Sequence, residues 1–197
     1  MSKPLLVGIT GGIGAGKSVV ARIFKKLGTH IYDADSSAKW LMSHSDNLKS
    51  AVQVLFGQES YQDGKLNREH IASLAFHKPI LLTQLNSLVH PEVELDFTKW
   101  ISENSSYRYL MKEAALLFET GSYKKLDQII LVIAPKEVRI KRILARDAHR
   151  NQEDIEAIMD KQLSDEQKQA KADIVLSNDG SNLLIPQILK LHEEFSQ

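Results

Sequence analysis

Leu5-Leu6-Val7-Gly8-Ile9-Thr10-Gly11-Gly12-Ile13-Gly14-Ala15-Gly16-Lys17-Ser18 is the stretch whose reading decides the fold. It begins as an apolar run of strand length and passes into glycines. Beyond it, residues 19–27 place Val19, Val20, Ile23, Phe24 and Leu27 at helical spacing. Strand, glycine-rich turn and helix form the context in which Gly-x-x-x-x-Gly-Lys-Ser acquires meaning as a phosphate-binding P-loop. The glycines let backbone N–H groups point inward around a polyphosphate, and the helix opening near Gly16 adds the positive end of its dipole. In this motif Lys17 reaches the β- and γ-phosphates and the Ser18 hydroxyl holds Mg²⁺. The predicted ligand is a nucleoside triphosphate.

Outward from this turn, the chain reads as alternating strands and helices. Gly28 suits a helix C-terminus, and His30-Ile31-Tyr32 reads as a short second strand running into Asp33-Ala34-Asp35. Carboxylates at the C-terminal end of such a strand lie where open α/β sheets bind ligands. The plainer alternative is that one of them caps the helix that follows. Residues 36–56 are helical in pattern, with turn signals at Gly57 and Asp63-Gly64-Lys65. Residues 67–101 are again mainly helical, with a break expected at His90-Pro91 because proline pushes its predecessor out of helical geometry. A third strand is predicted between Tyr107 and Phe118. Residues 128–134 are the clearest buried parallel strand, ended by Pro135. A short strand at 174–176, an Asn178-Asp179-Gly180 turn and a helix over 182–195 complete the pattern.

The region after Pro135 is basic. Arg139, Arg142 and Arg146 are spaced to share one helix face. Such a face is ordinarily solvated, but opposite a P-loop it can fold over a transferring phosphoryl group. Asn151 followed by Asp154 marks the start of another helix, so the segment has the form of a small lid. The fold class is α/β, a P-loop NTPase fold with a five-stranded parallel sheet covered on both faces. The core is expected over about 1–36, 105–135 and 170–197, with a helical substrate-binding insertion at about 37–104 and a lid at about 136–169.

Composition narrows the class. The 197 residues suffice for one substantial core, and 43% hydrophobic with 25% charged residues is ordinary for a soluble domain. Basic and acidic residues balance at 25 each, which argues against nucleic-acid or membrane-surface partners. There is no cysteine, no apolar run near the ~20 residues that span a bilayer, and no signal-peptide pattern at the start. A cytoplasmic enzyme, monomeric or weakly self-associating, is the expectation.

Taken together, these stretches resemble the dephospho-CoA kinase family. The resemblance is carried by residues 8–18, Asp33-Ala34-Asp35, Leu88-Val89-His90-Pro91, Leu116-Leu117-Phe118-Glu119, Arg142, Arg146-Asp147, Gln162, Ala172-Asp173 and Asn178-Asp179-Gly180. These occur in order over nearly the whole chain. It implies phosphorylation of the ribose 3′-hydroxyl of dephospho-CoA by ATP with Mg²⁺. By resemblance, Asp35 is the candidate general base, Lys17 and Arg142 serve the transferred phosphoryl group, and Ser18 serves the metal. Nucleotide contacts fall to Gly12, Ile13, Gly14, Ala15, Gly16, Lys17, Ser18, Val19, Arg146 and Asn178. Acceptor contacts fall to Thr10, Asp33, Asp35, Lys39, His90, Leu117 and Glu119. The chain departs from the family pattern at Lys39, where arginine is common, and at Ala115, where proline is usual. Its lid between Arg146 and Gln162 is also one residue longer. Another P-loop nucleoside or nucleotide kinase is the near alternative. A regulatory GTPase is disfavoured because no Asn-Lys-x-Asp motif occurs.

Overall fold

The computed structural model describes residues 3–197, the side chains of Phe76, His77 and Pro79 excepted. Two compact units are distinguished, Met1–Asp33 with Glu103–Gln197, and Ala34–Ser102.

In the first unit, strands β1 (Leu5–Thr10), β2 (His30–Asp33), β5 (Tyr109–Glu113), β6 (Gln128–Ile133) and β7 (Ile174–Ser177) form one sheet in the order β2-β5-β1-β6-β7. Every pairing is parallel. All five strands therefore end at one edge, and β1, which feeds the glycine turn, lies at the centre. Alternation within the strands divides the sheet's two faces. Val7, Ile9, Tyr109, Met111, Ile130 and Val132 join Val20 and Phe24 of α1 (Lys17–Lys26) and Ile188, Leu191 and Phe195 of α9 (Leu184–Phe195) in a continuous core. Each large apolar side chain buried there contributes about 1.5–3 kcal/mol. One polar chain crosses this core: Thr29 Oγ1 donates to the Tyr109 hydroxyl, which bonds His192 Nδ1 at 2.6 Å. On the opposite face, a Cβ at Gly8 would come within 2.8 Å of the Leu117 and Leu126 side chains, so the glycine lets this covering layer pack directly on β1.

The third strand is shorter than its apolar run suggested. It stops at Glu113, and the backbone then folds into turns, with Thr120 N–H donating to the Leu116 carbonyl and Gly121 N–H to that of Phe118. The same unit carries α6 (Lys136–Arg146), α7 (Gln152–Asp160) and α8 (Asp165–Gln169). Asn151 and Asp154 form a reciprocal capping box at the start of α7, as their spacing predicts. The five-residue α8 was not anticipated. It opens with its own capping box between Ser164 and Gln167.

In the second unit, the helical stretch 36–56 is two helices, α2 (Ala34–His44) and α3 (Asp46–Phe56). Ser45 divides them: its backbone is extended and its hydroxyl accepts from Leu48 N–H at 3.3 Å. The Asp63-Gly64 turn joins strands β3 (Tyr61–Gln62) and β4 (Lys65–Leu66) into a small antiparallel hairpin, with positive φ at both turn residues. Two helices follow, α4 (Arg68–His77) and α5 (Pro79–Glu103).

The break expected at His90-Pro91 does not occur, and Pro91 lies inside α5. Proline removes one backbone hydrogen bond from a helix 25 residues long. Leu85, Val89, Val93 and Phe97, each four residues from the next, are buried on one stripe that runs past it. Their common burial outweighs the local loss.

Candidate active site

The P-loop is shaped by its neighbours as much as by its own glycines. Gly16 caps α1 in left-handed geometry (φ 101°) and supplies no side-chain oxygen to compete for the amides of the first turn. A Cβ on Gly11 would stand 2.3 Å from the Val132 carbonyl oxygen, so β6 fixes the turn's entry. The Lys17 ammonium donates to the carbonyls of Gly11 at 2.9 Å and Gly12 at 3.3 Å, which holds it over the loop. Asn178, just beyond β7, donates to the Ala15 carbonyl at 2.8 Å. Thr10, the last residue of β1, is fully buried, and its hydroxyl oxygen has no hydrogen-bond partner.

Ser18 Oγ donates to Glu113 Oε1 at 2.8 Å. Glu113 ends β5, where it is the register partner of both Asp33 on β2 and Ile9 on β1. The parallel sheet thus sets two carboxylates side by side at the edge that carries the P-loop. Sequence reasoning missed Glu113 because it was taken as the interior of a longer strand. The available signal was an acid closing an apolar run. Asp35 follows two residues after Asp33, in the first turn of α2, where the helix dipole favours a negative charge. Lys39 is exposed on the same helix, and His90 is half-buried within α5.

The three arginines of α6 do not share one fate. Arg139 is buried and donates through Nε to the Ile13 carbonyl at 2.9 Å and through NH1 to Asp165 at 3.0 Å. Arg142 brings NH2 within 3.5 Å of Asn178 Oδ1, while its NH1 is buried with no hydrogen-bond partner. Arg146 is exposed and makes a two-pronged contact with Asp147, both bonds at 2.9 Å. That contact holds the Asp147 carboxyl below its usual range. Arg146 is thus paired with its neighbour in sequence.

Two residues expected at the acceptor side make contacts within the first unit. Leu117 is fully buried against Gly8. Glu119 accepts from Leu163 N–H at 3.1 Å and faces the buried Lys168 ammonium at 3.7 Å. Of the remaining P-loop positions, Ala15 is buried and Val19 is exposed in the first turn of α1.

Asp179 explains how Asn178 is held. Its carboxylate accepts from Ser181 N–H and Oγ, Asn182 N–H and Ser177 Oγ, at 2.8 to 3.1 Å. These donors hold its pKa far below the usual carboxylate range. A lowered pKa stabilises the loop above the ordinary value and loses that contribution only as pH falls through the lowered one. The Asp179 carboxylate should therefore remain ionised at about pH 3, where an ordinary aspartate of pKa about 3.9 is mostly protonated. Carboxyl carbon shifts in an NMR titration read this directly. A midpoint at or above the ordinary value would show the loop to be unformed in solution.

A central P-loop strand, an adjacent acid-tipped strand and the arginine-bearing helix α6 are the parts of a P-loop kinase, an ATP-dependent phosphotransferase. The family model for dephospho-CoA kinase matches residues 5–183. A dephospho-CoA kinase of Porphyromonas gingivalis is 40% identical over 193 residues, covering 96% of this chain and 93% of its own. Among solved structures, a Thermus thermophilus protein superposes with TM-score 0.86 at 33% identity over 98% of both chains. Dephospho-CoA kinase from Campylobacter jejuni gives 0.70 at 25% identity, over 97% of this chain and 96% of that one. The chain belongs to the dephospho-CoA kinase family.

Proposed function

We propose that the chain transfers the γ-phosphoryl group of ATP to the ribose 3′-hydroxyl of dephospho-CoA, giving CoA and ADP. Family membership supports this acceptor. The observation that carries the chemistry is the shared sheet edge, where Lys17 and Ser18 follow β1, Asp33 ends β2 and Glu113 ends β5.

The glycine-rich loop and the amides opening α1 receive the phosphates, and Lys17 turns from its loop carbonyls to the β- and γ-phosphates. Asp35 orients the 3′-hydroxyl and takes its proton as the oxygen forms a bond to the γ-phosphorus. The bond from that phosphorus to the ADP oxygen breaks in line, and Arg142 meets the charge spread over the equatorial oxygens. Lys39 and His90, in the helical unit, are assigned to the acceptor. Mg²⁺ suits the paired hydroxyl and carboxylate of Ser18 and Glu113, both hard oxygen donors. When bound, it neutralises developing phosphate charge.

No described helix is long and apolar enough to cross a membrane. A cytoplasmic setting, where ATP is at hand, goes with this reading. The test is ADP release from ATP with Mg²⁺, comparing dephospho-CoA, adenosine, AMP and water as acceptors. Turnover confined to dephospho-CoA is the expected result, and comparable turnover with water alone would overturn the reading.

A further inference from the structure

Ile13 is the P-loop residue gripped from both sides by the α6–α8 segment. Its N–H donates to Gln162 Oε1 at 2.9 Å, and its carbonyl accepts from Arg139 Nε at 2.9 Å. In a trans peptide the carbonyl of one residue and the N–H of the next point in opposite directions, and the chain has no cis bonds among its described residues. Arg139 therefore turns the Ile13–Gly14 peptide so that the Gly14 N–H is aimed away from α6. The preceding peptide obeys the same rule. With Ile13 N–H directed to Gln162, the Gly12 carbonyl faces the other way, where it accepts from Lys17 Nζ at 3.3 Å and Ala15 N–H at 3.1 Å. Both peptides flanking Ile13 are thereby fixed, the Gly14 N–H pointing away from Arg139.

Packing around Arg139 leaves little freedom for another arrangement. A Cβ on Gly12 would lie 2.3 Å from its NH2, and one on Gly14 would lie 2.8 Å from its carbonyl oxygen. Arg139 is only 7% exposed, and its far prong is fixed by Asp165 on α8. α8 is anchored in turn by Lys168, which is fully buried 3.7 Å from Glu119. Burial pushes the Lys168 pKa down while Glu119 and Asp165 act to raise it. A buried cation in this position is tolerated only beside its carboxylates.

We infer that Arg139 is a positioning residue for the nucleotide: held by Asp165, it presets the Ile13–Gly14 peptide so that the Gly14 N–H is aligned for a phosphate before ATP arrives. This role differs from that of Arg142, whose guanidinium retains an unpaired nitrogen. A preset donor binds phosphate without reorganisation at the moment of binding. The inference rests on the P-loop holding a nucleotide polyphosphate and is independent of the acceptor's identity.

The test is calorimetric binding of ADP in the absence of acceptor, with KM values measured beside it. Arg139→Ala should raise the ADP Kd and the ATP KM about tenfold, with the acceptor KM held within about twofold. Arg139→Lys should not restore affinity, because an ammonium cannot span the Ile13 carbonyl and Asp165 as a planar fork does. Asp165→Asn should weaken ADP about threefold and add nothing in the Arg139→Ala background. Unchanged ADP affinity in a folded Arg139→Ala protein, or equal loss for ADP and acceptor, overturns the inference. Should Arg139→Ala fail to fold, Asp165→Asn alone decides, and unchanged ADP affinity there overturns it equally. Failure of dephospho-CoA to turn over in the wild-type protein would refute the proposed acceptor and leave the ADP measurement intact.

Discussion

Replacing Arg142 by alanine is expected to lower kcat by about a thousandfold, or about 4 kcal/mol of transition-state stabilisation. Its guanidinium has a buried nitrogen with no hydrogen-bond partner among the described residues, beside a long Asn178 contact of 3.5 Å. A buried donor left unsatisfied is costly in the resting protein, and the phosphoryl oxygens of the reacting complex offer the acceptor it lacks. The interaction is then stronger in the transition state than in the free enzyme, which is the condition for raising kcat. Arg142→Lys should recover only part of the loss, because a point charge cannot present two parallel donors. Single-turnover rates at saturating ATP and acceptor provide the measurement. A fall in kcat under tenfold with Arg142→Ala would assign Arg142 to the fold.

For Asp35, asparagine substitution should reduce kcat by about a hundredfold to ten-thousandfold, the span seen when a positioned acid or base is lost. ATP affinity should stay within about twofold, since the P-loop contacts belong to the other unit of the chain. Asn keeps the size and a hydrogen-bond acceptor but cannot take a proton at neutral pH. The rate should therefore fall while acceptor KM changes little, as loss of the proton acceptor requires. A rise in acceptor KM with kcat unchanged would make Asp35 a group that only binds the hydroxyl. An unchanged kcat would remove it from the chemistry.

Much of this could be read from the linear chain because the signals are local. The P-loop's spacing, the 3.6-residue stripe after it, the apolar run at 128–133 and the Asn151–Asp154 cap each lie within one element. Local physics suffices for each. Errors arose where a local rule competed with packing. Pro91 breaks a helix in isolation, but the buried stripe of Leu85, Val89, Val93 and Phe97 carries α5 through it. Ser45 went unnoticed because apolar periodicity continues across it, although its cap ends one helix and opens the next.

The arginines mark the boundary most clearly. Arg139, Arg142 and Arg146 are equivalent by spacing, and nothing in their order along α6 separates them. Burial separates them: one is driven under the P-loop to Ile13 and Asp165, one is held near Asn178, and one turns out to Asp147. Lys168 likewise sits in a strongly polar run, Asp165-Glu166-Gln167-Lys168-Gln169, and is nevertheless fully buried. Glu113 gains its place through strand register, which sets it beside Asp33 and within reach of Ser18. The phosphate-binding turn and the α/β class were legible in the linear chain, since backbone conformation and periodicity are encoded within a few residues, and the kinase family was legible there through the resemblance of its motifs. Folding alone settles which charged side chains brace the loop and which turn outward. That choice depends on desolvation and on partners more than 100 positions away along the chain, such as Arg139 and Ile13, whose hydrogen bond spans 126 residues.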